Sequence, residues 1–173
     1  MLLLAAGLFA CGLYKPPIAP ELLAPRVVSN LTFSVEGDGV RFNWQAPDRD
    51  VQGEDLKTIE GYNLLRKGPA DDYDSLSQKE FTILKFVADR HLEVQKKLRE
   101  EAIEQGKLTR KAKVPKEQKE FTYHDQALEQ DKFYSYQIVP INQGGVRGEA
   151  SDLVQMRYLG EESRFFTIKT DLK

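Results

Sequence analysis

Apolar and polar residues alternate along much of the chain between residues 27 and 158. Val40, Phe42 and Trp44 are separated by single polar residues, the period of two that predicts a half-buried β-strand. The preceding run from Val27 to Val35 and the Gly-rich turn at 36–39 complete a predicted hairpin. Further strands are predicted at residues 59–68, 121–123, 134–141 and 153–158. The pattern therefore predicts an all-β domain.

The order and spacing of these strands resemble a fibronectin type III domain. The resemblance rests on Val40-x-Phe42-x-Trp44-x-Ala46-Pro47, on Ile59-x-Gly61-Tyr62-x-Leu64-x-Arg66, on Leu128 six residues before Tyr134, and on Tyr134-x-Tyr136-x-Ile138-x-Pro140-x-Asn142 with Gly148 and Ser151 behind it. It implies an immunoglobulin-like β-sandwich over residues 26–158 with Trp44 and Tyr62 in its core. It also implies that Tyr134 is a corner tyrosine whose hydroxyl bonds back to the turn near Leu128.

Residues 70–120 form an insertion in this pattern, where the family has a short loop and strand. Residues 81–87 are apolar enough to form a strand. From Arg90 to Gln105 helix-forming residues dominate, and Asp89 and Gly106 are typical of a helix start and stop. The insertion therefore predicts an α-helix that lies along the sandwich or projects from it.

The insertion also carries the predicted partner-binding surface. Leu92, Val94 and Leu98 form a narrow apolar stripe on the helix. The segment that follows contains the cations Lys107, Arg110, Lys111, Lys113, Lys116 and Lys119. Together they favour contact with a protein partner, an anionic lipid or a glycan. A solvated helix and a soluble lysine-rich loop are the alternatives that stay open.

The N-terminus predicts a lipid anchor. Residues 1–10 are apolar and too short to span a bilayer, which needs about 20 such residues, so they are typical of a signal peptide. Leu8-Phe9-Ala10-Cys11 resembles the lipobox of bacterial lipoproteins, which implies cleavage before Cys11 and a covalent lipid on its thiol. Cys11 is the only cysteine. The missing Lys or Arg before it leaves open a start upstream of Met1, and a buried structural cysteine is the alternative to lipidation.

The segment at residues 11–25 is interpreted as a tether. Its prolines, Pro16, Pro17, Pro20 and Pro25, exclude helix and favour an extended backbone. In lipoproteins, aspartate after the lipidated cysteine is typical of retention in the inner membrane. Gly12 stands there instead, so the resemblance implies the outer membrane, on its periplasmic face.

Charge and candidate chemistry argue against other classes. A net charge of −2 and export disfavour nucleic-acid binding. His91 and His124 are the two residues able to act as acid–base groups near neutral pH, and neither has a nucleophile motif beside it, so we expect no enzyme and no metal or cofactor. Residues 48–55 resemble the start of a calcium loop, but Ile59 occupies the position of its final glutamate.

Two function classes therefore stand. The first is a non-enzymatic protein-interaction or assembly module anchored in the cell envelope, with its C-terminal extension at residues 159–173 available to partners. The second is capture of glycan or peptidoglycan by aromatics such as Tyr73 and the pair Phe165-Phe166. An exposed aromatic platform would favour the second class. Residues 165–168 are predicted to form an edge strand.

Overall fold

The structure, a computed structural model, describes residues 18–56, 59–106 and 119–169, and at Leu92 the backbone alone. The predicted signal peptide, Cys11 and the first part of the tether lie outside the described residues. In chain order the elements are a 3₁₀-helix (Pro20–Leu23), β1 (Ser29–Glu36), β2 (Gly39–Gln45), β3 (Gly61–Ala70), α1 (Tyr73–Gln78), β4 (Thr82–Ala88), α2 (His91–Glu104), β5 (Glu120–Asp125), β6 (Lys132–Ile141), β7 (Leu153–Tyr158) and β8 (Arg164–Ile168).

The strands form two antiparallel sheets that pack face to face. One sheet has the order β1-β2-β5, and the other has the order β4-β3-β6-β7-β8. Each sheet buries one face against the other, which is why apolar residues recur with a period of two. The fold is an all-β, fibronectin type III-like sandwich, as the sequence predicts.

The core lies between the two sheets and is centred on aromatic rings. Trp44 is 1% exposed, and its ring centroid is 5.5 Å from that of Tyr62 and 6.1 Å from that of Phe121. Tyr62 and Tyr134 are fully buried. Because these residues come from both sheets, their contacts hold the sheets together, and each aromatic pair adds about 1 kcal/mol beyond its burial.

Tyr134 makes the hydrogen bond expected of a corner tyrosine. Its hydroxyl accepts a bond from the backbone N–H of Glu129 at 2.8 Å, one residue beyond Leu128. This bond satisfies a hydroxyl that its buried ring would otherwise leave without a partner. It also fixes the turn between β5 and β6.

A buried ionic cluster at the end of β5 was not predicted. The Asp125 carboxylate is 1% exposed and accepts hydrogen bonds from the Arg66 guanidinium at 3.0 Å and the Tyr136 hydroxyl at 2.8 Å. Burial, reinforced by Asp125, raises the pKa of Tyr136 well above its usual value. The hydroxyl therefore stays protonated and donates. The cluster joins β5 to β3 and β6 and so connects the two sheets.

Part of the 70–120 insertion belongs to the sandwich itself. β4 pairs with β3, which confirms a strand near 81–87 and places it at one edge of the five-stranded sheet. The predicted end of the third strand at Gly68-Pro69 is wrong. β3 continues to Ala70, because an irregularity in its pairing with β6 accommodates the proline.

Helix α1 was not predicted either. The Asp72 carboxylate accepts a hydrogen bond from the backbone N–H of Ser75 at 2.7 Å, and the Ser75 hydroxyl accepts one from the N–H of Asp72. This reciprocal cap stabilises the first turn. Leu76 is buried on the side facing β3 and β6. A six-residue helix is too short for apolar periodicity to reveal it.

Helix α2 confirms the helix predicted from Arg90 to Gln105. The backbone N–H of His91 donates to the Asp89 carboxylate at 2.9 Å, so Asp89 acts one position before the assigned cap. Gly106 has a φ of +65°, the left-handed conformation typical of a helix stop. Among the described residues, no strand packs closely along α2, although Ala102 on this helix is buried.

The C-terminal extension at residues 159–173 contributes a strand to the larger sheet. β8 pairs with β7 and is the edge on the opposite side from β4, which confirms the predicted edge strand. Phe165 faces inward, with its ring 4.7 Å from that of Phe33 on β1. Phe166 faces outward. Residues 170–173 lie outside the described part of the chain.

The last residues of the Pro-rich segment are hydrogen bonded to the sandwich. The carbonyl oxygens of residues 22–25 accept bonds, in order, from the side chains of Gln52 and Asn142 and from the backbone N–H groups of Val51 and Glu149. The N–H of Arg26 donates to the carbonyl of Arg49 at 3.0 Å. We call residues 22–26 the N-terminal clamp. The boundary predicted between tether and domain, at 25–26, falls inside this clamp. The prediction that prolines exclude helix from this segment is wrong at Pro20–Leu23, where a 3₁₀-helix begins with Pro20, because the first residue of a helix needs no N–H group.

No helix in the described ranges combines the length and the apolar character needed to cross a bilayer.

Candidate interaction surface

The outward face of the five-stranded sheet exposes large apolar side chains. Ile83 on β4 is 63% exposed, and Phe166 and Ile168 on β8 are 51% and 47% exposed. Strand register places all three on the side away from the core. The solvent-facing side of an antiparallel sheet is normally polar. Ile83 lies on one edge strand and Phe166 and Ile168 lie on the opposite edge strand, so the exposed apolar residues form two separate candidate interaction surfaces.

A groove between α1 and β8 lies at one end of this outward face. Its principal lining residues are Tyr73, Phe133, Arg157, Leu159, Arg164 and Phe166, and its volume is about 780 Å³. The Tyr73 ring centroid is 4.5 Å from that of Phe133 and 6.3 Å from that of Phe166, both edge to face. We call this the aromatic groove. Its size and its mixture of aromatic and charged groups are those of a ligand site.

The charges of the aromatic groove are only partly neutralised. Arg157 and Arg164 are directly opposite each other on β7 and β8. Arg157 pairs with Asp131 at 2.5 Å and lies over the Phe133 ring. Arg164 is exposed and has no ion pair among the described residues, although Glu162 lines the same groove. The groove therefore combines its aromatic rings with two arginines and with the carboxylates of Asp72 and Glu162.

The sequence identified only part of this groove. Tyr73 and Phe166, proposed as ligand-capturing aromatics, are brought together by α1 and β8. Phe165, proposed with them, is instead packed into the sandwich, since neighbouring residues of a strand face opposite sides. Phe133 and Arg157 were missed. They occupy outward positions of β6 and β7, and only the register reveals that those positions meet.

A second apolar region lies on the same outward face, towards β4. Leu65, Val139 and Ile141 are buried there against Phe81, outside the main core. A groove of about 590 Å³ runs beside them and is also lined by Ile83. The outward face is thus apolar near both edges of the sheet.

The predicted surface on the inserted helix is described in part. Val94 is 42% exposed, and Leu98 is half-buried. The side chain of Leu92 and the predicted cations Lys107, Arg110, Lys111, Lys113 and Lys116 lie outside what the structure describes. The described part of this prediction is therefore Val94, Leu98 and Lys119, whose ammonium group lies 3.8 Å from the Asp48 carboxylate.

The aromatic groove and the N-terminal clamp lie at opposite ends of the sandwich. The clamp binds the β2–β3 and β6–β7 loops, and α2 leaves from that end, where the N–H of Asp89 donates to the carbonyl of Glu60. The aromatic groove lies at the other end, beside the β5–β6 and β7–β8 turns. The ten residues of β6 separate the ends by about 30 Å.

The candidate chemical groups named from the sequence are not assembled into a site. His91 contacts the Gln95 side chain within α2, and the His124 ring nitrogen lies 3.1 Å from the carbonyl oxygen of Glu36. The Asp50 carboxylate accepts hydrogen bonds from nearby backbone N–H groups, which makes residues 48–55 a turn. Within the described residues, no three side chains of the metal-ligating types come together.

The strand order and the corner tyrosine define a fibronectin type III-like domain that carries an exposed aromatic groove. The third fibronectin III domain of the human KIAA0343 protein is similar to this chain, with 14% identity and a TM-score of 0.42; the match covers 91% of this chain and 94% of that domain. No protein-family model and no curated protein matched the chain.

Proposed function

We propose that this protein is a lipid-anchored, non-enzymatic protein-interaction or assembly module of the bacterial cell envelope. The observation that supports it most is the outward face of the five-stranded sheet, where Ile83, Phe166 and Ile168 are about half exposed or more. Keeping such residues in water gives no benefit to folding, whereas covering them with a partner yields about 25 cal/mol for each Å² removed from water. The surface is therefore suited to binding.

The position of the aromatic groove supports the same function. A lipid on Cys11 would hold the clamp end of the sandwich towards the membrane. The groove would then point away from that membrane, about 30 Å along the strands, where a periplasmic partner can reach it. We place the protein at the outer membrane, facing the periplasm.

The inserted helix is the second contact region of the proposed module. Val94 and Ile103 are exposed on α2, and the helix leaves from the clamp end. The basic segment 107–116 follows α2 in the chain. We propose that these residues contact a protein partner or anionic lipid close to the membrane, and that nucleic acid is not a partner.

Glycan or peptidoglycan binding is the second candidate function. Tyr73 and Phe166 are 37% and 51% exposed and flank one groove, which is the aromatic platform that favours this alternative. Polar groups at the rim, among them Glu162 and Arg164, could bond to hydroxyls. Retention of the protein on purified peptidoglycan, lost in a Tyr73→Ser/Phe166→Ser variant, would support this candidate.

Crosslinking in the native envelope followed by affinity purification tests the main proposal. Wild type is compared with a face variant, Tyr73→Ser/Phe166→Ser, and a helix variant, Val94→Glu/Ile103→Glu. All four positions are exposed, so both variants should fold, which thermal unfolding will check. A protein partner that is lost from one variant supports the module. If wild type retains no protein, the proposed function is wrong.

Lipidation is tested separately by metabolic labelling with a fatty-acid probe. We expect label on the wild type and none on Cys11→Ser. The variant should also be absent from the membrane fraction, because it lacks the acyl chains on residue 11 that stable anchoring needs. Equal labelling of both proteins would contradict the lipid anchor.

A further inference from the structure

Strand β8 is an edge whose outward side chains are suited to pairing with another chain. Arg164, Phe166 and Ile168 alternate along it and are all exposed. Edge strands are usually protected by charges, prolines or bulges, because a free edge recruits other strands. β8 carries a single charge among its five residues, and its pairing with β7 is regular.

The charge on β8 indicates what its partner carries. Arg164 stands directly opposite Arg157, and like charges in directly opposed positions destabilise a sheet. Arg157 is neutralised by Asp131, whereas Arg164 has no ion pair among the described residues. A carboxylate placed beside Arg164 would supply the counterion that this residue lacks among the described residues. The complementary ligand therefore carries an acidic group beside Arg164 and apolar groups beside Phe166 and Ile168.

We infer that β8 binds an extended segment of a partner protein, which adds to the five-stranded sheet as a further strand. The segment carries an acidic side chain opposite Arg164 and apolar side chains opposite Phe166 and Ile168. Since alternate residues of a strand face one side, these three positions are two residues apart in the partner. Backbone hydrogen bonds between the two strands provide the affinity, and the acidic and apolar side chains determine which residues pair. This inference rests on the proposed protein-interaction function.

A second copy of this chain is a poorer occupant of the same edge. Antiparallel self-pairing centred on Phe166 would place Arg164 of one copy opposite Ile168 of the other, and parallel pairing in register would place Arg164 opposite Arg164. Neither arrangement supplies a carboxylate. A glycan would contact the rings of the aromatic groove but could not pair with the strand backbone.

Photocrosslinking from β8 in living cells tests the inference on the full-length protein. Benzoylphenylalanine is placed at Ile168 and, for comparison, at Val94 on the inserted helix, which is the second proposed contact region. Both positions are exposed. The crosslinked partner segment is sequenced by mass spectrometry, synthesised, and titrated against wild type, Arg164→Lys and Arg164→Glu. Thermal unfolding of each variant shows that the fold is kept.

The expected result is a crosslink from position 168 to a segment with an acidic residue two positions from an apolar one. Arg164→Glu should weaken its binding about tenfold, since like charges then face each other, whereas Arg164→Lys should retain most of it. Replacing the acidic residue of the peptide by lysine should restore binding to Arg164→Glu. This reciprocal rescue would not follow from a merely structural role of Arg164.

Other outcomes overturn the inference in distinguishable ways. A crosslink from position 94 alone keeps the interaction function but removes β8 as its surface. A crosslink from 168 to a second copy of this chain, or a segment whose affinity is the same for Arg164→Glu as for wild type, contradicts the proposed partner chemistry. No protein crosslink from either position, with peptidoglycan retained, overturns the proposed function as well.

Discussion

The two faces of the five-stranded sheet use similar residues for different purposes. On the inward face, Tyr62, Tyr134 and Tyr136 are almost completely buried, and two of their three hydroxyls have hydrogen-bond partners. On the outward side, Phe166 of β8 and Tyr73 of the adjoining helix α1 remain in contact with water. The inward face is thus buried and stabilises the fold, whereas the outward side keeps aromatic residues exposed. Substitutions should separate these contributions.

Trp44→Ala should have the largest effect on stability. The ring is 1% exposed and packs on Tyr62 and Phe121, so its removal leaves a cavity and should lower the free energy of unfolding by about 3–5 kcal/mol. Urea denaturation followed by far-UV circular dichroism measures this. The matched outward control is Ile83→Ala, which should cost less than about 1 kcal/mol because most of its side chain is exposed. Equal losses in the two variants would contradict the distinction between the faces.

Asp125→Ala should be the next most damaging change. The substitution leaves the largely buried Arg66 guanidinium without its carboxylate partner and removes the acceptor of the Tyr136 hydroxyl. We expect the free energy of unfolding to fall by about 3 kcal/mol. The same denaturation experiment measures the loss. Tyr136→Phe keeps the ion pair and should cost only about 1 kcal/mol. If Asp125→Ala lowers the free energy of unfolding no more than Tyr136→Phe does, the ion pair does not contribute to stability.

Two tyrosine-to-phenylalanine changes should have opposite signs. Tyr134→Phe removes the acceptor of the Glu129 N–H and should cost about 1 kcal/mol. The Tyr62 hydroxyl is buried and has no hydrogen-bond partner among the described residues, so Tyr62→Phe should be neutral or stabilising by about 1 kcal/mol at pH 7. Destabilisation by Tyr62→Phe equal to that by Tyr134→Phe would contradict this account.

The buried tyrosines Tyr62 and Tyr136 predict a loss of stability at alkaline pH. Burial, with a smaller effect of Asp89, raises the pKa of Tyr62 far above its usual value of 10.0, and burial likewise raises that of Tyr136. The folded state therefore holds these protons more tightly than the unfolded state does. The free energy of unfolding therefore does not depend on their ionisation below about pH 10. It decreases as the pH rises above that value, because the tyrosines then lose protons in the unfolded state but not in the folded state. The melting temperature measured between pH 8 and 11.5 should fall less in Tyr62→Phe than in wild type.

Phe166→Ser should have the smallest effect on stability and a large effect on binding. Half of the side chain is exposed, so the free energy of unfolding should change by about 0.5 kcal/mol. Recovery of the crosslinked partner should nevertheless fall strongly, because the ring is central to both the aromatic groove and the β8 surface. Phe165→Ser, on the inward side of the same strand, should instead destabilise the protein.

The fold was more predictable than the surface, and the residues explain why. Trp44 and Tyr134 belong to a pattern of alternation that the core itself imposes, and so the pattern reveals both. Arg157 and Arg164 become neighbours only through the β7–β8 register, and Gly160 indicates a turn between the strands without specifying which residues pair. Helix α1 was missed because six residues carry no periodicity. Asp125 and Arg66 continue the inward alternation of β5 and β3, but charged side chains are mostly exposed, so the alternation alone does not indicate their burial.

The N-terminal clamp has a mechanical consequence. A pull on the N-terminal segment would otherwise act directly on β1, whose hydrogen bonds to β2 could be peeled apart one at a time. The bonds to the carbonyl oxygens of residues 22–25 lie before β1 and involve two separate loops, so tension is divided between them first. The clamp would therefore take up tension applied to the N-terminal segment before that tension reaches β1.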